Sequence, residues 1–193
     1  MTFASVSDSE RNVDQEPSPK GGPKSKQSPK EPPAAELTSI HLDGEIDENV
    51  KIYDTCDDVR RKITGHVKDS TQAAFARELS QMMPHTRINA THVGRFQKMK
   101  GPRAGGHNPV FYAAYVYFEK LRIKQGKKKS AKREQMEEHW EERGGFPREG
   151  SHNIYILTKP GQHWTFDAMG KPKMVGQGRP GGGWTRKRVR DHS

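Results

Sequence analysis

The sequence has a single cysteine, few apolar residues and no long apolar run. Because Cys56 is the only cysteine among 193 residues, the chain cannot form an internal disulfide or a zinc site built from several thiolates. This usage fits a reducing compartment, either cytosol or nucleus. No stretch approaches the ~18 consecutive apolar residues of a membrane-spanning helix, and the N-terminus lacks the basic and apolar regions of a signal peptide. We therefore expect an intracellular protein with no membrane segment.

Patterns typical of catalysis are also missing from the sequence. There is no Gly-rich phosphate loop, no nucleophile in a recognisable setting and no pair of carboxylates outside the Glu-rich stretch 134–142. The nine histidines show no His-x3-His pair that would indicate a metal site. Cys56 opens a predicted helix, so it is either a thiol of lowered pKa or, as we favour, a structural residue. We predict that the protein is not an enzyme and uses no metal, no cofactor and no small-molecule substrate.

The composition indicates a small core and a polyanionic partner. Apolar and charged residues each make up 30% of the chain, and the mean hydropathy is -1.05. Such a chain buries too little apolar surface to order its full length. The net charge is +10 and the pI is about 9.7. Residues 1–51 carry a net charge of -4, whereas the rest of the chain carries +14, and an excess of this size favours nucleic acid as partner.

Hydrophobic periodicity and capping residues predict a mainly α fold. Five helices are expected, at about 55–67, 70–82, 89–100, 109–125 and 130–143. The clearest begins with Asn108 as N-cap and Pro109 at the first helical position, and it is apolar around most of its circumference, as expected for the hub of a core. Two short strands, 154–157 and 164–166, follow, with a turn at 169–171 before Met174 and Val175.

These elements predict a compact domain of four to five helices with a small C-terminal β-hairpin and disordered tails at both ends. A disordered acidic tail rich in Pro, Ser and Lys is expected at 1–51, followed by a helical domain of the helix-turn-helix kind at 52–126. A basic and then acidic helix with a linker is expected at 127–150 and a β-hairpin at 151–175. The chain is expected to end in a disordered tail rich in Gly and Arg at 176–193.

One octet of the second predicted helix, QAAFAREL, carries a specific pattern. Gln72 leads, Phe75 follows three residues later, Ala76 is next and Leu79 follows three residues beyond. The octet resembles the second helix of the lambda-repressor-like helix-turn-helix family. Ala76 allows two helices to cross closely, Phe75 and Leu79 face the core, and Gln72 projects from the helix N-terminus towards a phosphate.

The segment THVGRF, residues 91–96, is similar to the recognition helix of the same family. The resemblance implies that Ala90, Thr91 and Arg95 face base edges in the major groove of duplex DNA, with the Arg95 guanidinium bonding guanine O6 and N7. The chain has seven more residues between Ala76 and Val93 than the family's tight turn, so the resemblance does not fix the angle between the helices. The side chains expected to contact phosphate are Gln72, Lys98, Lys100, Arg103, Arg122 and Lys124.

A second resemblance covers about residues 52–175. The string KGPRAGGHNPVFYAAYVYFEKLRIKQGKKKS from Lys100, with VRRKI at 59–63, resembles an uncharacterised family of filamentous-fungal proteins of unknown function. It implies a shared fold and no particular chemistry.

Two short basic runs are typical of nuclear-import signals. Their members are Lys127, Lys128, Lys129, Lys132 and Arg133 in the first run and Arg186, Lys187 and Arg188 in the second. We therefore predict a nuclear protein that reads duplex DNA, with regulation of transcription as its candidate role. Two alternatives stay open. One is binding of RNA or of nucleic acid in general through the basic tails. The other is a protein-interaction module that docks a protein partner with exposed aromatic residues of the 109–125 helix and the acidic 134–142 stretch.

Overall fold

A computed structural model of the chain describes residues 36–148, 155–178 and 183–188. Within these ranges the fold is mainly helical with small antiparallel sheets near the C-terminus, which confirms the predicted fold class. The helices are α1 Cys56–His66, α2 Gln72–Met82, α3 Ala90–Lys98, α4 Pro109–Lys124 and α5 Ala131–Trp140, which a 3₁₀ turn at Glu141–Arg143 extends. The strands are β1 Tyr155–Thr158, β2 His163–Phe166, β3 Pro172–Val175 and β4 Thr185–Arg188.

A polar side chain caps the N-terminus of each of these helices. The capping residues are Thr55, Thr71, Asn89, Asn108 and Ser130, each of which accepts a hydrogen bond from a backbone N–H of the first turn. Such a bond satisfies one of the amides that an isolated helix leaves unpaired. The capping residues therefore explain where the helices begin.

Helix α4 is the hub of the core. Every residue from Val110 to Tyr117 is buried, and the helix packs against α1, α2 and α3. Its tyrosine hydroxyls bind the backbone of the segment that precedes α1, because Val50 N donates to Tyr112 Oη at 3.2 Å and Tyr115 Oη donates to Lys51 O at 2.9 Å. These bonds satisfy the polar ends of large aromatic side chains inside the core. None of the helices in the described part of the chain is long and apolar enough to cross a membrane.

The boundary of the N-terminal tail, predicted at residue 51, is wrong. Leu37 is fully buried and Val50 nearly so, and Glu45 forms an ion pair with the buried Lys120 of α4. Residues 36–51 therefore belong to the folded domain, because their few apolar side chains reach the core that α4 provides. The rest of the predicted tail, 1–35, lies outside the described residues.

The strands pair differently from the prediction. Strands β2 and β3 form the expected hairpin, in which Trp164 lies opposite Met174, and Asp167 and Gly170 are in its turn. Strand β1, however, pairs with β4, which lies in the segment 176–193 predicted to be a disordered tail. Antiparallel pairing of β1 satisfies backbone groups that a lone strand would leave to water. The single hairpin predicted at 151–175 is therefore corrected to two two-stranded sheets, β1–β4 and β2–β3.

Arg103 joins the β2–β3 hairpin to the helical core. Its side chain is buried, with 8% of its surface exposed, and its Nε donates to Gly170 O at 2.7 Å. The guanidinium carbon lies 5.4 Å from the ring centre of Trp140, 5.9 Å from Phe146 and 4.9 Å from Phe166. A cation surrounded by aromatic rings and bonded to a carbonyl is a structural anchor.

Candidate nucleic-acid interface

The two helices of the predicted helix-turn-helix unit pack as the sequence pattern indicates. Phe75 and Leu79 of α2 and Val93 and Phe96 of α3 are fully buried, and Ala76 is nearly so. These side chains hold α3 against α2 and α4. The packing therefore fixes the positions of the side chains on the exposed faces of α2 and α3.

The long turn between α2 and α3 is closed by one serine. Ser80 Oγ lies 2.9 Å from the carbonyl oxygens of Ala76 and Ile88 and accepts a hydrogen bond from Ile88 N at 3.3 Å. Met83 and Ile88, at the two ends of the turn, are buried. The extra residues between Ala76 and Val93 thus fold back onto α2 instead of separating the helices.

A shallow groove lies between the N-terminus of α2 and the outer face of α3. We call it the α2–α3 groove. It is lined by Gln72, Ala90, Thr91, Gly94, Arg95, Gln97 and Lys98. Five of these seven are residues that the sequence predicted to contact DNA, so the fold brings them together. Positions 91, 95 and 98 lie together because their spacing of four and three residues places them on one face of α3.

The floor of the groove includes residues that the sequence analysis missed. Gln72 Nε2 donates to Gln97 Oε1 at 2.6 Å, so Gln72 bridges the two helices. A Cβ on Gly94 would lie 3.4 Å from Gln72 Oε1, which shows that this glycine directly faces the bridge. The spacing of Gly94 and Gln97 from Thr91 could have placed both on the same face.

The α2–α3 groove is electropositive. Arg95 and Lys98 are exposed, and neither side chain has a partner among the described residues. No carboxylate lines the groove within the described part of the chain. Helices α2 and α3 both begin in it, and the partial positive charge of a helix N-terminus adds to that of the two cations. The exposed Lys100 lies two residues beyond the end of α3.

Three of the predicted phosphate contacts lie elsewhere. Arg103 is buried at the base of the β2–β3 hairpin, as described above, and its charge is surrounded by aromatic rings. Arg122 bonds both carboxylate oxygens of Glu119 and the carbonyl of Lys127. Lys124 forms an ion pair with Glu36. We therefore remove Arg103, Arg122 and Lys124 from the set of expected DNA contacts.

The first basic run lies largely inside a network of ion pairs. Lys129 pairs with Glu137 at 2.7 Å, Lys132 with Asp58 at 2.5 Å, and the buried Arg133 with Glu119 at 3.3 Å and Glu137 at 3.0 Å. Only Lys127 and Lys128 of this run are exposed with no side-chain partner among the described residues. Lys129, Lys132 and Arg133 of the predicted import signal are therefore engaged in the fold. In the second run Arg186 is exposed, and the side chains of Lys187 and Arg188 lie outside the described residues.

The carboxylates of this network are held in their charged form. Burial works to raise the pKa of Asp58, but hydrogen bonds from Lys132 and Thr55 outweigh it and lower that pKa. Burial also opposes ionisation of Glu119, whereas the hydrogen bonds from Arg122 and the charge of Arg133 lower its pKa. The cations of the network are thus engaged in joining α1, α4 and α5.

The aromatic residues of α4, one of the two surfaces proposed for a protein partner, are mostly buried. Tyr112, Tyr115 and Tyr117 of α4 are buried, and Phe118 is only partly exposed. The tyrosines therefore belong to the core and are not offered to a partner. Cys56 is fully buried at the start of α1, which fits the structural role favoured for it. Among the described residues no cluster of three or more His, Cys, Asp or Glu side chains could hold a metal ion.

Comparison with known proteins places a family model on the helical part of the chain. The model, described as a domain of unknown function (DUF7726), matches residues 50–128. The matched stretch contains α1–α4 and with them the complete α2–α3 groove. No curated protein and no solved structure matches the chain. The resemblances to lambda-repressor-like and filamentous-fungal proteins therefore stay predictions.

Proposed function

We propose that the protein binds duplex DNA through the α2–α3 groove and acts in the nucleus as a regulator of transcription. One observation carries the proposal: two packed helices begin in a groove that holds the unpartnered cations Arg95 and Lys98 and, among the described residues, no carboxylate. Phosphate groups bind readily to helix N-termini and to exposed Lys and Arg. A groove of this kind is suited to the backbone of a duplex.

The dimensions of α3 fit the proposal. An α-helix with its side chains is about 10–12 Å in diameter, and the major groove of B-DNA is ~12 Å wide. The nine residues of α3 span about 13 Å along the groove. Thr91 and Arg95 lie one turn apart on its exposed face. With α3 in the major groove, Arg95 can donate two hydrogen bonds to a guanine, and Ala90 and Thr91 are placed beside neighbouring bases.

The remaining contacts fix the orientation of the protein on DNA. Lys98 at the end of α3 and Lys100 two residues later flank the reading face, and each can pair with a phosphate. The second amide hydrogen of Gln72 is directed away from its bond to Gln97 and can donate to a phosphate oxygen at the N-terminus of α2. Affinity is expected from phosphate contacts, and sequence preference from Arg95 and Thr91.

The proposal is tested by fluorescence anisotropy with labelled duplexes in a salt series. The logarithm of affinity should fall linearly with the logarithm of salt concentration, and Lys98→Gln or Lys100→Gln should each reduce the slope by about 0.9. Arg95→Ala should weaken binding to a selected sequence by about 5- to 100-fold and to mixed-sequence DNA much less.

Arg77 provides the matched control. It is an exposed arginine on α2 that does not line the groove, so Arg77→Ala should change neither affinity nor preference by more than about twofold. Equal losses for Arg95→Ala on all sequences would remove Arg95 from the base-reading role. If no duplex binds at micromolar protein, the proposed function is wrong.

A further inference from the structure

The β1–β4 ribbon has one face that combines aromatic and cationic side chains. In the register of the two strands, Leu157 lies opposite Arg186, and Thr158 lies opposite Thr185. Because side chains alternate between the faces of a strand, one face is shared by Tyr155, Leu157, Lys159, Trp184 and Arg186. On the opposite face Thr158 is fully buried, whereas Thr185 across from it is exposed.

The aromatic residues of this face are open to solvent. Trp184 is 62% exposed, Tyr155 41% and Leu157 57%. Most of the other large aromatic side chains in the described part of the chain are buried in the core. Large aromatic side chains that remain on a surface as a group indicate a binding site.

Each exposed ring is paired with a cation. Arg186 Cζ lies 4.1 Å from the ring centre of Tyr155, and Lys159 Nζ lies 5.0 Å from that of Trp184. A cation held against a ring orients the ring and places a positive charge beside any base that stacks at this surface. Among the described side chains this face carries no carboxylate, so its charge is wholly positive.

We infer that this face of the β1–β4 ribbon is a binding surface for single-stranded nucleic acid, separate from the α2–α3 groove. Bases of any sequence stack on exposed aromatic rings, while Lys and Arg beside the rings neutralise the phosphates. Tyr155 and Trp184 are at opposite ends of the ribbon, about 13 Å apart along the strands at ~3.3 Å per residue. The two rings are therefore too far apart for one base and take two different bases.

A single strand fits this surface better than a duplex or a protein. In a duplex the faces of the bases are covered by their neighbours, so Tyr155 and Trp184 would find no surface on which to stack. A protein partner would place apolar side chains on the rings but would leave Lys159 and Arg186 without phosphate. The inference goes beyond the proposed function, and none of its residues lines the α2–α3 groove.

The test is titration of dye-labelled twelve-nucleotide oligo-dT and oligo-U with the full-length protein, followed by anisotropy of the label in every variant and by tryptophan emission in the unmodified protein. Both should bind and quench the emission, because stacking does not depend on the sugar. Trp184→Ala should weaken both by about tenfold and Tyr155→Ala by a similar factor, since a stacked base contributes that much affinity on truncation. Trp184→Phe keeps a ring and should retain most of the affinity, and equal thermal melting of the variants excludes unfolding as the cause.

Binding of duplex DNA separates this inference from the proposed function. Trp184→Ala should leave duplex affinity unchanged, and Arg95→Ala should leave oligo-dT affinity unchanged. The inference is overturned if neither oligonucleotide binds at protein concentrations of about 100 μM, the range of the weakest non-specific complexes, or if Trp184→Ala binds both as tightly as the unmodified protein. It is also overturned if sedimentation shows a dimer that Trp184→Ala dissociates, because a second copy would then cover the face.

Discussion

Replacement of Arg103 by methionine tests the assignment of this residue to the core. Methionine keeps the length and apolar stem of the side chain but removes the hydrogen bond to Gly170 O and the charge near three aromatic rings. A hydrogen bond from a charged donor contributes about 1.5–3 kcal/mol, and a partly desolvated cation–π contact contributes about 0.5–2 kcal/mol. Since methionine itself packs well against rings, we expect a net loss of about 3 kcal/mol in the free energy of unfolding.

The assay is urea denaturation followed by tryptophan fluorescence. Trp140 and Trp164 are on the two sides of the contact between helical core and hairpin, so their emission should report separation of the hairpin at lower urea in Arg103→Met than in the unmodified protein. Arg95→Met is the matched control, because Arg95 is exposed and without a partner among the described residues, and it should change stability by less than about 0.5 kcal/mol.

DNA binding gives the second half of the same test. At temperatures where both proteins are folded, Arg103→Met should bind duplex with an unchanged salt slope. A destabilisation below about 1 kcal/mol together with a slope reduced by about 0.9 would refute the reasoning. Arg103 would then be the phosphate contact that the basic composition of its segment suggests.

Two further predictions concern the groove and the ion-pair network. Gly94→Ala should raise the melting temperature, because alanine favours a helix by up to ~1 kcal/mol over glycine. The same variant should bind duplex DNA more weakly in fluorescence anisotropy, because the new methyl group faces Gln72 Oε1 at 3.4 Å. Equal or tighter binding would mean that DNA does not enter the α2–α3 groove. The pKa of Asp58 in the folded protein is lower than its ordinary value of 3.8, so the ionised carboxylate stabilises the fold at pH values above 3.8. This stabilisation is lost as the pH falls through the lowered pKa. Urea midpoints measured from pH 6 to pH 3 should therefore fall less steeply in Asp58→Asn than in the unmodified protein, and identical slopes would contradict the role of Lys132 as its partner.

Local sequence signals predict much of the helical fold. Asn108 and Pro109 mark the start of α4 because capping and the fixed φ of proline are properties of adjacent residues. The octet from Gln72 likewise predicts which side chains of α2 face the core. Such features depend on contacts within one or two helical turns, which a single sequence displays directly.

Contacts between distant residues explain what the sequence could not predict. Arg103 looks like one more cation in a basic segment, but its aromatic partners come from positions 140–166. Lys132 reaches Asp58, 74 residues earlier. The pairing of β1 with β4 similarly crosses a Gly-rich segment that by composition resembles a tail. In each case the fold brings the two partners together, and no periodic pattern in the sequence indicates which residues will meet.

The first turn of α5 contains part of the nuclear-import signal that the sequence predicts at residues 127–133. A receptor that reads a basic peptide needs its cations free, whereas Lys132 and Arg133 are helical and hold carboxylates on α1 and α4. Recognition of this run would require the helix to unwind and would take one cation away from each of the buried carboxylates Asp58 and Glu119, which is unfavourable. The intact domain therefore withholds Lys132 and Arg133 from such a receptor, and the predicted import signal is complete only in a chain that is still folding or locally opened.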